Sequence, residues 1–148
     1  MEEQEIQAIK NKKHSLKRYR VNMTCIERLE EKYTLLKMRL ENAKAINISS
    51  MPRGGTPVTT EDLILDKIDL EKRINKLKDK GHRLKIQILE EIDSLEDSRY
   101  CEVLEAYFIE CKTIEEIADD MGYSERYIYS LYKKGVYMLT FESSYINQ

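Results

Sequence analysis

The sequence predicts an all-α protein, a long N-terminal antiparallel helical hairpin or coiled coil followed by a C-terminal domain of short helices. Three observations predict it. Charged residues make up 35% of the 148 and hydrophobic ones 41%, with two prolines and no tryptophan. That composition suits long solvated helices better than sheets. Apolar residues recur every three, four or seven positions across residues 5–45 and again across 61–92, which is helical periodicity. Between those stretches lies NISSMPRGGTPVTT, residues 47–60, holding both prolines of the chain.

In the first stretch Ile6, Ile9, Leu16, Tyr19, Met23, Ile26, Leu29, Tyr33, Leu36, Leu40 and Ala43 form one narrow stripe. No proline or glycine interrupts it, so a single helix of ~60 Å is expected at 1.5 Å per residue. A helix so charged needs a partner for that stripe. Pro, Gly, Ser and Thr then mark residues 47–60 as a loop. Arg53 within it is either a phosphate or partner contact, or part of a plain connection. Thr60, followed by Glu61 and Asp62, reads as the cap of a second helix running to about residue 92. Leu63, Leu70, Ile74, Leu77, Leu84, Ile88 and Ile92 or Leu95 form its stripe, with Gly81 a weak point near the middle. The two stripes can pair within one chain or between two. Extra apolar residues at Ile64, Leu65, Ile68, Ile86 and Leu89 widen the second stripe and point to a homo-oligomer, a dimer. Residues 1–95 are therefore expected to form a stem and 96–148 a separate domain.

In that second domain Ser98 is placed to cap a helix over residues 99–108, with Val103, Leu104 and Tyr107 inward. Thr113 and Glu116 have capping-box spacing, so a helix starts at Ile114. Ile117, Ala118 and Met121 supply its apolar stripe, and Gly122 suits the left-handed residue that ends it. Ser124 is the next N-cap. Ile128, Leu131, Gly135 and Leu139 then share one face of the following helix. Two helices joined by a short glycine-containing turn constitute a helix-turn-helix, whose second helix can enter the DNA major groove. Beyond it, Phe141 and Tyr145 either fray or dock onto the domain.

With Ile128, Leu131, Gly135 and Leu139 turned inward, the helical period leaves Arg126, Tyr129, Ser130, Lys133, Lys134 and Tyr137 facing out. Tyr127 lies at the flank. A bidentate arginine on guanine discriminates by roughly 1–3 kcal/mol. Hydroxyls and ammonium groups suit phosphate oxygens, which set register without reading sequence. A surface this rich in tyrosine equally suits a protein partner.

Charge is unevenly spread. The chain has a net charge of −2. Residues 1–46 hold eleven Lys/Arg against seven Asp/Glu, a surplus of four positive charges, whereas residues 98–148 hold five against nine, a surplus of four negative ones. Seven of those nine acids precede Ser124. Lys10, Lys12, Lys13, His14, Lys17, Arg18 and Arg20 cluster near the start, as a nucleic-acid backbone contact or as a solvated helix face.

Residues 113–139 resemble, without a gap, region 4 of bacterial sigma-70-type factors, which reads the −35 promoter element. Thr113, Glu115, Glu116, Ile117, Ala118, Gly122, Ser124, Ile128, Leu131, Gly135 (usually Ala) and Leu139 carry the resemblance, and Arg99, Val103, Leu104 and Tyr107 match the preceding helix. Over nearly its full length, MPRGG and IDLEKRI included, the chain resembles small phage and prophage proteins described as sigma-region-4-like regulators. The resemblance implies a transcriptional regulator in the cytoplasm of a bacterial host cell, binding double-stranded DNA and contacting RNA polymerase. It places base and phosphate contacts at Arg126, Tyr127, Tyr129 and Ser130, and the expected DNA-binding set adds Ser124 at the start of the helix and Lys133, Lys134 and Tyr137 further along it. Where the sigma pattern has two arginines and a glutamine, this chain has Tyr127, Tyr129 and Ser130, so its reading set differs from that for an ordinary −35 element. Two alternatives remain open: a DNA-packaging adaptor of the small-terminase kind, and a module binding polymerase or a host factor without DNA.

Other functions find no support. His14 and His82 lie in no nucleophile arrangement, so no enzyme and no small-molecule substrate is expected. Cys101 and Cys111 lack a CxxC partner set, and the acids at 115–116 and 119–120 read as a cap and a solvated face, so no metal and no cofactor is expected. GG at 54–55 lacks the rest of a phosphate-binding loop. No apolar run approaches the roughly 20 residues of a membrane span, and MEEQEIQ is too acidic for a signal peptide. Three cysteines (Cys25, Cys101 and Cys111), an odd number with no close spacing in the sequence, favour a reducing compartment.

Overall fold

The computed structural model describes residues 2–46 and 59–142. The expectations for the 47–60 loop up to residue 58, Arg53 included, and for Tyr145 lie outside the described residues. All regular structure within them is helical: α1 (Glu2–Leu16), α2 (Arg18–Ile46), α3 (Thr60–Asp93), α4 (Ser98–Phe108), α5 (Ile114–Met121) and α6 (Glu125–Phe141).

Two compact units divide the chain. One comprises residues 22–80, the other residues 1–21 together with 81–148. This differs from an expected boundary at 95/96, because α1 and the last turns of α3 belong with α4–α6.

Within the 22–80 unit, α2 and α3 run antiparallel. Leu29, Leu70 and Ile74 are buried together, with Tyr33, Leu36 and Leu77 packed around them. Tyr33 donates its hydroxyl hydrogen to Glu71 at 2.7 Å, and Glu30 pairs with Lys78 at 3.3 Å. Asn22 interrupts the apolar stripe. It is 5% exposed, and its Nδ2 donates to the Leu77 carbonyl at 2.8 Å. A buried amide is tolerated there because its donor has a partner.

The other unit has the larger core. Leu16 of α1, Leu84, Ile88 and Ile92 of α3, Val103, Leu104 and Phe108 of α4, Ile117 and Ala118 of α5, and Ile128, Leu131, Val136 and Leu139 of α6 are buried together with Tyr132. Lys12 of α1 pairs with Glu91 of α3 beside this core. The Cys101 thiol donates to the Ile92 and Leu95 carbonyls, each at 3.4 Å, and burial pushes its pKa up. This half-buried thiol therefore ties α4 to the end of α3 and the turn that follows it.

Several local expectations are corrected. The expected single helix over residues 5–45 is broken at Lys17 into α1 and α2. No proline or glycine breaks it. The interruption is a single residue: the i→i−4 bonds Lys17 N–H to the Lys13 carbonyl and Val21 N–H to the Lys17 carbonyl continue across it, and the Arg18 Nε donates to the Ser15 carbonyl at 2.8 Å. Ile6, expected in the stripe, is 53% exposed. The N-cap of α4 is Asp97 rather than Ser98, because its carboxylate reaches the Arg99 N–H. Likewise Thr59, one residue before Thr60, accepts from the Asp62 N–H at 3.2 Å. Gly81 leaves α3 unbroken.

Candidate nucleic-acid interface

The geometry of the α5–α6 pair follows from its caps. Thr113 has extended backbone and its hydroxyl accepts from the Glu116 N–H at 3.1 Å, so α5 begins at Ile114. The Glu116 carboxylate returns to the Thr113 hydroxyl rather than to its backbone N–H, so only half of the reciprocal box forms. Gly122 ends α5 at φ 72°, ψ 30°. A residue with a Cβ is disfavoured in that left-handed region. Ser124 then accepts from the Tyr127 N–H at 3.2 Å and starts α6. Two residues, Tyr123 and Ser124, thus separate Gly122 from the next helix.

α6 is held by α4, α5 and α1. Ile128, Leu131, Gly135 and Leu139 are buried, as the spacing predicts, and Tyr132 and Val136 extend the buried face. Gly135 permits the close approach of α4: a Cβ there would lie 2.9 Å from Leu104 Cδ1 and 3.2 Å from its Cγ.

The eight residues singled out from sequence fall into three groups. Arg126, Tyr129, Lys133, Lys134 and Tyr137 are exposed, Tyr129 at 46% and Tyr137 at 49%. Ser130 is half-buried on the same side, and Ser124 is exposed but engaged as the cap. Tyr127 is half-buried and tethered. Its hydroxyl accepts from Arg99 Nη1 at 3.0 Å, and its ring lies 4.9 Å from that of Tyr123. Arg99 in turn grips both Asp97 carboxylate oxygens, and these hydrogen bonds hold the Asp97 carboxyl below the usual range. Tyr127 therefore braces α6 against α4 rather than standing free.

Sequence reasoning assigned no role to Tyr132, which organises the flank of this surface. It is 5% exposed, its ring 4.8 Å from Tyr107 and 6.1 Å from Tyr129, and nearly parallel to the latter. Lys13 lies 5.7 Å above the Tyr132 ring, Arg20 4.4 Å above Tyr107, and Lys133 4.7 Å above Tyr129. Rings and cations alternate along the flank, each cation facing a π surface. Burial, and then the neighbouring tyrosines, push the Tyr132 hydroxyl up to about 12, so it is neutral at physiological pH. Its position four residues after Ile128 could have flagged it as inward-facing. Nothing local in the sequence brings Lys13 and Arg20 to it.

No protein-family model, characterised protein or solved structure matches this chain.

The surface is thus a rigid helix presenting one arginine, two lysines and two half-exposed tyrosines. Among the described residues, Arg126, Lys133 and Lys134 have no ion-pair partner. Two of the four α5 acids are engaged elsewhere: Glu116 returns to its cap, and Asp120 pairs with Lys112 at 2.8 Å. Among the described residues no group of three or more His, Cys, Asp or Glu is placed to hold a metal ion. No described helix is long and apolar enough to cross a membrane.

Proposed function

We propose that the protein is a DNA-binding regulator of transcription of the phage type, in which α6 enters the major groove of duplex DNA. The observation carrying this reading is the open face of α6. Arg126, Tyr129, Lys133, Lys134 and Tyr137 all point away from the core, on a helix fixed by a cap, a left-handed turn and a buried apolar side. In this reading Arg126, nearest the N-terminus of α6, contacts base edges, while Ser130, Lys133 and Lys134 contact phosphates. Tyr127 acts indirectly, through its tether to Arg99. As a homodimer the protein would place two α6 helices on half-sites about 34 Å apart or a multiple of it.

The experiment is selection of bound sequences from random duplex DNA, alongside mass measurement in solution. Enrichment of a sequence by a monomer or dimer supports the regulator. Rings in solution support a DNA-packaging adaptor instead. The half-exposed tyrosines favour a second reading, a protein partner such as RNA polymerase on the same face. Co-purification with polymerase that survives nuclease, with no DNA enriched, supports that one.

A further inference from the structure

We infer that the lysine row of α1 is a second DNA-contacting strip, gripping phosphates beside the groove that α6 enters. The inference rests on the DNA reading of α6. Four observations carry it. First, α1 lies in the same compact unit as α6 and packs against it. Leu16, fully buried, and the pairing of Lys12 with Glu91 fix its orientation. Second, Lys10, Lys13 and Lys17 follow one another at three- and four-residue spacing, and Lys17, just past the end of α1, keeps the helical turn through its N–H bond to the Lys13 carbonyl at 3.0 Å, so the three share one side over ~10 Å at 1.5 Å per residue. Third, the middle lysine of that row meets α6: Ile9 and Lys13 line a shallow groove of about 410 Å³ together with Lys133, Lys134 and Tyr137. Fourth, residues 6–17 hold four lysines and no acid. Among the described residues, Lys10, Lys13 and Lys17 have no ion-pair partner.

Lys12 points elsewhere, to Glu91 of α3, which separates an ion-paired lysine from three without an acidic partner among the described residues. The arrangement also accounts for how an otherwise acidic unit could approach DNA. Its positive charge is densest over residues 10–20 and on the outer side of α6, whereas its acids are spread over the start of α1, the end of α3, α4 and α5. A backbone-gripping strip carries no sequence information, so it would strengthen binding to any duplex alike.

The test is fluorescence anisotropy of the full chain with a random-sequence DNA duplex, titrated across a series of salt concentrations. Four proteins are compared: wild type, the Lys10→Gln/Lys17→Gln double variant, that variant with Lys13→Gln added, and Arg126→Ala. Lys10 and Lys17 are both exposed, and circular dichroism checks that the double variant keeps its helices. The slope of log Kobs against log salt falls by roughly 0.9 for each phosphate that the protein no longer neutralises, so the double variant is expected to be shallower by about 2. Lys13→Gln added to it takes away about one unit more. A steep wild-type slope left unchanged by the lysine substitutions overturns the α1 strip and leaves the α6 reading standing. A wild-type protein with no salt-dependent duplex binding removes both.

Discussion

Replacing Gly135 by alanine is the sharpest probe of how α6 is seated. In an open helix the change would stabilise by about 1 kcal/mol, the difference in helix propensity between the two residues. Here the new Cβ would stand 2.9 Å from Leu104 Cδ1, 3.2 Å from Cγ and 3.4 Å from Cδ2. The crowding involves the branch point as well as the tips, so a simple rotation of the terminal methyls cannot relieve it. Leu104 is fully buried, in one cluster with Val103, Phe108, Ile128, Leu131 and Leu139, and has little room to retreat. Overpacking a well-filled core costs about 1–3 kcal/mol. The net expectation for Gly135→Ala is therefore a loss of about 0–2 kcal/mol. Urea unfolding followed by circular dichroism reads it, at an unchanged dependence on denaturant. A double-mutant cycle with Leu104→Ala should return a coupling of roughly 0.5–3 kcal/mol, since the alanine at 104 removes all three crowding atoms. A Gly135→Ala protein more stable than wild type by the full propensity gain, with no coupling to Leu104, would refute the reasoning.

Three further outcomes are expected. Leu16→Ala should lose roughly 2–5 kcal/mol in the same unfolding assay, because it empties a fully buried site where α1 joins the core; a loss under about 0.5 kcal/mol, the range of an exposed site, would contradict that placement. Cys111 adopts a left-handed backbone at φ 59°, so Cys111→Gly should be neutral or more stable by up to about 1 kcal/mol, and a clear loss would show that its thiol matters more than its backbone. Because the Tyr132 pKa is raised in the folded state to about 12, its contribution to stability is complete below the ordinary tyrosine value near 10 and is lost as pH rises towards 12. An ultraviolet titration should show a tyrosine ionising late, towards pH 12, a step that Tyr132→Phe removes.

Much of this architecture is written locally. Thr113, Gly122 and Ser124 act on their own neighbours, through a hydroxyl reaching two or three residues along or a backbone without a Cβ, so their roles follow from residue type and spacing. The face of α6 follows too, since Ile128, Leu131, Gly135 and Leu139 repeat with the helix. What escaped is long-range or hinges on one side chain. Whether Asp97 or Ser98 caps α4 turns on which oxygen reaches an N–H one residue further on, and both are good caps. The one-residue interruption at Lys17, where the Arg18 Nε turns back to the Ser15 carbonyl, is not announced by an arginine in a regular helical pattern. The place of α1 was hidden for a different reason. Its apolar stripe continues in phase into α2, so periodicity alone joins the two, and only packing against residues some seventy or more positions away separates them. The flank of stacked rings was missed likewise, because Arg20 and Tyr107 are far apart in sequence.

If the outward face of α6 holds DNA as proposed, the affinity of wild type and Arg126→Ala for a duplex of the selected sequence measures it directly. Removing a bidentate hydrogen-bonded pair with a base costs roughly 1–3 kcal/mol. The variant should therefore bind that duplex about 5- to 150-fold more weakly, with little change on unrelated sequence and with stability intact. Equal affinity of the two proteins for the selected duplex, or no duplex retained by wild type even at low salt, would contradict it.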